Sequence, residues 1–260
     1  MNAMNSPISA IWLEERSEEL KACIVFCTRL PLLRATPIAG GVIAKAAWAF
    51  PIAGLVVGLT GAVVYGLAHR AGLPPWPAAA LAVAATMLVT GCLHEDGLAD
   101  TADGFGGGTT REQKLEIMRD SHIGAYGVAA LTIALLLRVG ALASLPGAHA
   151  VVWALIASHA AARATMPALM LLLPPARSDG LSHDAGRPPA DGVAIGAALA
   201  FLIVAVCLHP GHALLALIFL AVIVAVMAWS SANQIEGQTG DVLGALEQAS
   251  EIAVLLVAAG

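Results

Sequence analysis

Charge is scarce in this 260-residue chain: Asp, Glu, Lys and Arg together make up 12% of it, about half the share usual in a soluble domain. That is too little for the charged shell of a water-soluble core of this size. Basic blocks are absent as well, and the formal net charge is −5, which removes the electrostatic footprint that nucleic acid requires. Cysteine is limited to Cys23, Cys27, Cys92 and Cys207. The first two lie four apart on an expected helix, but no second pair completes a zinc site, so all four are expected to be reduced apolar fillers. Met1 to Glu19 is polar and acidic and lacks the basic start and apolar core of a signal peptide. Insertion is therefore expected to use the first apolar span. No Ser-His-Asp order stands out, and His69, His149, His209 and His212 fall near expected turns.

What the chain has in quantity is Ala, Leu, Val and Ile. Hydrophobic residues reach 58% and the mean hydropathy is +0.81. Roughly 20 such residues in a helix match a bilayer core of about 30 Å. The fold class expected is all-α, a polytopic membrane helical bundle with about seven spans at 42–68, 77–93, 124–145, 150–173, 192–208, 213–230 and 243–259. Pro74-Pro75, Pro146-Gly147, Pro174-Pro175 and Pro210-Gly211 punctuate them. Residues 1–41 read as a separate cytoplasmic segment whose stretch from Ile11 to Ile24 forms an amphipathic helix on the membrane surface. Residues 42–260 read as the transmembrane catalytic domain, with its active loop at 94–123.

The thirteen Lys and Arg residues are unevenly placed. Arg16, Lys21, Arg29, Arg34 and Lys45 precede or open the first span; Arg111, Lys114 and Arg119 follow the second; Arg177 and Arg187 follow the fourth. Arg70 stands alone on the other side, and Arg138 and Arg163 fall inside spans. The positive-inside rule puts the N-terminus and the long loops in the cytoplasm.

The segment from His94 to Tyr126 carries the chemistry. Asp96, Asp100 and Asp103 are spaced i, i+4 and i+7, one face of a helix if the second span continues past the membrane. Like charges on one stripe repel unless a cation neutralises them, and Mg²⁺ prefers carboxylate and phosphate oxygens. Gly104, Gly106, Gly107 and Gly108 follow; such a stretch lets backbone N–H groups approach a phosphate, and a flexible linker has the same composition. Arg111, Lys114 and Arg119 then offer cations suited to a pyrophosphate, and Asp120 is a fourth carboxylate. On the same side lie Arg177 with Asp179, and Asp241 in the GQTGD segment that opens the last span. Glu247 and Glu251 are i and i+4 inside that span, where Arg138 and Arg163 are candidate counter-ions. These parts suit transfer of a phosphate-linked group at a membrane surface.

At these residues the chain resembles a known family. The strings GCLHEDGLADTADGFGGG (91–108) and REQKLEIMRDSHIGAYG (111–127) are similar to the cobalamin synthase family, the adenosylcobinamide-GDP ribazoletransferases. FCTRLP at 26–31, Pro51 to Gly54 with Gly58, RSDGLS at 177–182 and GQTGDVLGA at 237–245 extend the likeness. Glu236 stands where the family pattern has glycine. The resemblance implies a Mg²⁺-dependent enzyme of the bacterial cytoplasmic membrane that joins adenosylcobinamide-GDP to α-ribazole or its 5′-phosphate and releases GMP. It also implies site residues: Asp96, Asp100 and Asp103 on metal, Asp120 or Asp241 as base, and Arg29, Gly106, Gly107, Arg111, Arg119, Arg177 and Asp179 on substrate. A homo-oligomer or association with other cobalamin-assembly enzymes stays open.

Two other readings compete. A CDP-alcohol phosphotransferase also displays aspartates at helical spacing, but where its Asp-Gly-x-x-Ala-Arg run is expected, Asp96-Gly97-Leu98-Ala99 is followed by Asp100 and no Arg stands at the equivalent point. A transporter would line its path with Arg163, Glu247 and Glu251, yet the polar residues concentrate in the loops of one side.

Overall fold

The computed structural model describes residues 7–30 and 41–260; Pro31 and Arg34 of the sequence reading lie outside them. The described residues are helical, with one isolated bridge between Pro175 and Gln238. In chain order the helices are α1 (Pro7–Cys27), α2 (Val42–Lys45), α3 (Phe50–Arg70), α4 (Pro75–Thr90), α5 (Leu93–Gly107), α6 (Arg111–Ile117), α7 (Ala125–Ser144), α8 (Ala148–Leu172), α9 (Leu181–Ala185), α10 (Ala190–Cys207), α11 (Pro210–Ile235) and α12 (Gly240–Ala259). Six apolar runs are long enough to cross a bilayer: α2 with α3, then α7, α8, α10, α11 and α12. The pair α4 and α5 makes a seventh, bent by 90°.

The condition set for the three aspartates, that the second span continue past the membrane, is met only with a sharp bend between α4 and α5. Gly91 takes φ 67° and Cys92 φ 57°. The Cys92 N–H donates to Met87 O and the Gly91 N–H to Leu88 O, the paired bonds of a left-handed helix stop. With α4 through the membrane, α5 lies along its surface. Counting the pair as one crossing makes the spans alternate. The connections 91–124, 173–189 and 236–239 then gather at one face, and the short turns 71–74, 145–147 and 208–209 at the other.

The bundle is apolar outside, and its largely apolar interior also encloses polar and charged side chains. Leu59, Val63, Leu67, Ile133, Leu136, Phe201, Leu202, Leu214, Ile218 and Val226 are exposed, as a lipid-facing surface requires. Small residues bring the helices together. On α3, a Cβ added at Gly58 would lie 2.6 Å from the Leu155 carbonyl of α8, so α3 and α8 touch through backbone. The C-terminal half of α1 shares this packing: Cys23 and Cys27 are buried in one core with Phe50 and Ala53, and Trp48 Nε1 donates to Glu19 at 2.7 Å. Ile11, Trp12 and Leu13 remain exposed at its start. Cysteine proves less uniform than expected. All four are free, but Cys92 is exposed and Cys207 half-buried, because Cys92 sits at the helix break rather than in the core.

Candidate active site

The site forms where α5 crosses the N-terminal end of α12. Gly97 permits the crossing: a Cβ there would lie 2.7 Å from Asp241 O and 3.2 Å from Gly244 Cα. The approach sets Asp96 and Asp100 beside Asp241, whose helix is started by Thr239, its hydroxyl accepting from the Val242 N–H at 3.3 Å. Asp96 is exposed and Asp100 half-buried, and neither carboxylate has a hydrogen-bond partner among the described residues. Burial, then the charges of Asp96, Asp241 and Asp103, pushes the Asp100 carboxyl up to about 7.

Among the described residues one cation lies within ion-pair distance of these carboxylates. Arg177 Nη1 lies 3.5 Å from Asp241 Oδ2, and its Nη2 donates to Leu115 O at 2.9 Å. Partial burial lowers the Arg177 pKa, with Asp241 acting against that shift. The loop that carries Arg177 is tied to the start of α12: Ala176 N–H donates to Gln238 O at 2.8 Å and Gln238 N–H to Pro174 O at 2.9 Å. Behind the mouth lies a cavity of about 270 Å³, lined by Asp96, Arg177, Asp179 and Asp241 on its polar side.

The other expected site residues are placed as follows. Asp103 is buried and faces away: its Oδ2 accepts from Gly124 N–H at 2.7 Å and its Oδ1 from Gly127 N–H at 2.9 Å. It thereby satisfies free donors at the start of α7. Gly106 and Gly107 form the last turn of α5 instead of an open loop, and Gly106 packs against the Tyr126 ring. Arg111 donates to two backbone carbonyls, Ile235 O at 3.0 Å and Ala176 O at 2.7 Å. Arg119 pairs with Asp179 at the surface. Arg29 lies over Gly91 at the helix break. Asp120 is exposed, and hydrogen bonds from the His122 ring and backbone hold its carboxyl below the usual range. Neither Asp120 nor Arg29 lines the cavity.

Inside the bundle is a second polar group. Arg138 Nε donates to Glu251 Oε1 at 2.8 Å, and its Nη1 to Glu95 Oε1 at 2.8 Å and Gln248 Oε1 at 3.2 Å. Arg163 Nη1 lies 2.7 Å from Glu247 Oε1. The two arginines expected as counter-ions for Glu247 and Glu251 are thus their partners. Glu95, His94 and Gln248 were not foreseen in this role. Their one signal is that ionisable residues adjoin an apolar span. His159, Glu247 and Glu251 bring ligand atoms within 4.8 Å of one another, a buried group that could coordinate a divalent ion. Both of its carboxylates already face a guanidinium.

Comparison with known proteins agrees with the motifs. The family model for cobalamin-5-phosphate synthase matches residues 19–259. An adenosylcobinamide-GDP ribazoletransferase of Bradyrhizobium diazoefficiens is 55% identical over 241 residues, covering 93% of each chain. One from Mesorhizobium japonicum is 53% identical over 241 residues, covering 93% of this chain and 92% of its own. One from Azorhizobium caulinodans is 48% identical over 220 residues, covering 82% and 83%. No solved structure matches.

Proposed function

The chain belongs to the cobalamin-5-phosphate synthase family, and we propose that the carboxylates gathered at and beside the cavity mouth, Asp96, Asp100 and Asp241, are the seat of its reaction. The reaction joins adenosylcobinamide-GDP to α-ribazole, or to α-ribazole 5′-phosphate, and releases GMP. A ribose hydroxyl attacks the cobinamide-linked phosphorus, a P–O bond forms, the bond to the GMP oxygen breaks, and the hydroxyl proton leaves to a base.

The observation that supports this reading is a charge imbalance. Asp96, Asp100 and Asp241 converge, and among the described residues Arg177 is the cation in contact with them, with Arg119 acting on Asp241 from further away. A hard divalent cation fits that donor set, and Asp96 and Asp100, whose oxygens have no protein partner, are the residues that would hold Mg²⁺. When bound, Mg²⁺ neutralises charge on the diphosphate and helps the nucleotide leave. Asp103, engaged with α7, orients α5 and supplies no ligand. Asp241 lines the cavity and is the better placed base, since Asp120 does not reach it. Arg177 steadies the departing phosphate in place of Arg111, whose donors are taken by backbone carbonyls.

This face is cytoplasmic in our reading. Arg111, Lys114, Arg119, Arg177 and Arg187 lie on it, against Arg70 on the other. A membrane-impermeant maleimide is expected to label exposed Cys92 in inverted vesicles and not in intact cells. For the chemistry, protein purified in detergent is incubated with adenosylcobinamide-GDP, α-ribazole 5′-phosphate and Mg²⁺, and GMP is followed. Chelation is expected to stop GMP release. Asp100→Asn is expected to lower it by roughly 10²–10³-fold with the protein still inserted. Near-normal turnover in that variant, or turnover undiminished by exhaustive chelation, overturns the assignment.

A further inference from the structure

The cavity has two unlike halves. Its mouth carries Asp96, Asp241 and Arg177 with the buried Ser182, Gln238 and Thr239, while an apolar wall is made by Phe26, Ile43, Phe50, Met166, Met170 and Leu243. Phe50, Met166 and Met170 are buried, and the Phe26 and Phe50 rings stand 6.3 Å apart at 55°. His94 also lines the cavity; it is buried, and its Nε2 has no hydrogen-bond partner. Its Nδ1 lies 3.5 Å from Arg163 Nη2. Glu247 Oε2 lies 3.6 Å from the same nitrogen; in the tautomer whose Nδ1 accepts from the guanidinium, Nε2 carries hydrogen and faces the cavity as a donor.

Three pieces of substrate compete for such a space. At about 270 Å³ it falls just under the lower end of pockets for drug-sized ligands, roughly 300–1,000 Å³. A corrin macrocycle with its amide side chains does not fit. Guanine is small enough, but it carries polar groups on both edges, and those left unpaired against the apolar wall would lose their hydrogen bonds to water without replacement. The dimethylbenzimidazole of α-ribazole has an apolar edge with two methyl groups and a single bare ring nitrogen. That pattern matches phenylalanine and methionine walls with the His94 ring beside them.

We propose that this cavity binds the ribazole substrate base first, its dimethylbenzimidazole among Phe26, Phe50, Met166 and Met170, while the corrinoid stays outside on the membrane face. The proposal rests on the reaction assigned above. It accounts for the position of Asp241: a base seated inside leaves its ribose at the mouth, with a hydroxyl beside that carboxylate. Met170 and Phe26 then set which base is accepted.

The test is steady-state GMP release with each substrate varied in turn, using α-ribazole and the riboside of unmethylated benzimidazole. Met170→Trp narrows the inner half. It is expected to raise the KM for α-ribazole at least tenfold, that for the unmethylated riboside much less, and that for adenosylcobinamide-GDP less than twofold. Phe26→Leu removes a ring contact without filling space, and is expected to raise the α-ribazole KM severalfold with the same selectivity; it decides the matter if Met170→Trp does not fold. A KM for adenosylcobinamide-GDP that rises as much as that for α-ribazole overturns the proposal, as does an unchanged KM for both. Failure of the wild-type protein to release GMP would instead overturn the reaction, and a thermal shift by α-ribazole alone, lost in Met170→Trp or Phe26→Leu, would still support the pocket.

Discussion

Two groups of charges lie a few residues apart on the same pair of helices and are built on opposite principles. Glu95 and Asp96 are neighbours on α5, and Asp241 and Glu247 share α12. Glu95, Glu247 and Glu251 point into the bundle and meet Arg138 and Arg163. Asp96 is exposed and Asp100 and Asp241 are half-buried at the mouth, and among the described residues the one cation within ion-pair distance of them is Arg177. Charges inside a membrane protein are tolerated when fixed partners answer them. Charges at the surface can be left unanswered, because water covers the deficit until a cation arrives. The difference separates holding a fold from holding an exchangeable ion.

Removing one charge should therefore act in opposite directions in the two groups. Arg138→Met strands two buried carboxylates, and breaking such a group by deleting one partner costs about 3–5 kcal/mol. The expected outcome is a large fall in detergent melting temperature and loss of monodispersity. Replacing Arg138, Glu95 and Glu251 together by Met, Gln and Gln should recover much of the loss, since no charge is then left alone. Asp100→Asn, by contrast, relieves repulsion and should leave the melting temperature unchanged or higher without metal. Equal destabilisation by Arg138→Met and Asp100→Asn would erase the distinction between the groups.

A smaller effect sharpens the same comparison through pH. Asp100 in the folded chain is pushed up to about 7, from an ordinary value of 3.8. Between those values the folded chain keeps a proton that the unfolded chain has lost, so this group favours folding as pH falls from 7 towards 4 and opposes it above 7. A metal ion must displace the same proton. The Mg²⁺ concentration for half-maximal GMP release should be about tenfold higher at pH 6 than at pH 8, one proton on a group near 7. A constant Mg²⁺ requirement across that range would exclude Asp100 as the titrating ligand. The buried group should show no such dependence on Mg²⁺, its carboxylates being held by arginine.

Much of this was legible in the sequence, and the gaps have physical causes. Seven apolar runs give the spans to within a few residues, because hydropathy is a local property. The bend after α4 was missed: Gly91 suggests a stop, but a cysteine in left-handed backbone beside it has no sequence signature. The spacing of Asp96, Asp100 and Asp103 correctly indicates a helix face. It could not reveal that Asp103 is turned to the start of α7, since Gly124 and Gly127 lie over twenty residues away. Arg177 reaches Asp241 only through the pairing of Pro175 with Gln238, a tertiary contact without local trace. Glu95 was read as part of an aspartate-rich loop, and only the turn of α5 shows that it faces inward.

Glu236 offers the smallest test, because it belongs to neither group. It takes φ 57° at the end of α11, the left-handed position where helices most often place glycine. The glycine expected there from the family pattern is thus explained by backbone, and the glutamate bears strain of about 1–2 kcal/mol. Its contact with Arg111, 3.5 Å and largely exposed, returns little of that. Glycine removes the strain but gives the unfolded chain more freedom, which offsets roughly 0.5–1 kcal/mol. Glu236→Gly should therefore stabilise the protein by up to about 1 kcal/mol, a rise of roughly 2–4 °C in melting temperature for a chain of this size. GMP release and its pH profile should not move. A shift in the Mg²⁺ requirement would instead tie Glu236, through Arg111 and the loop that carries Arg177, to the surface group after all.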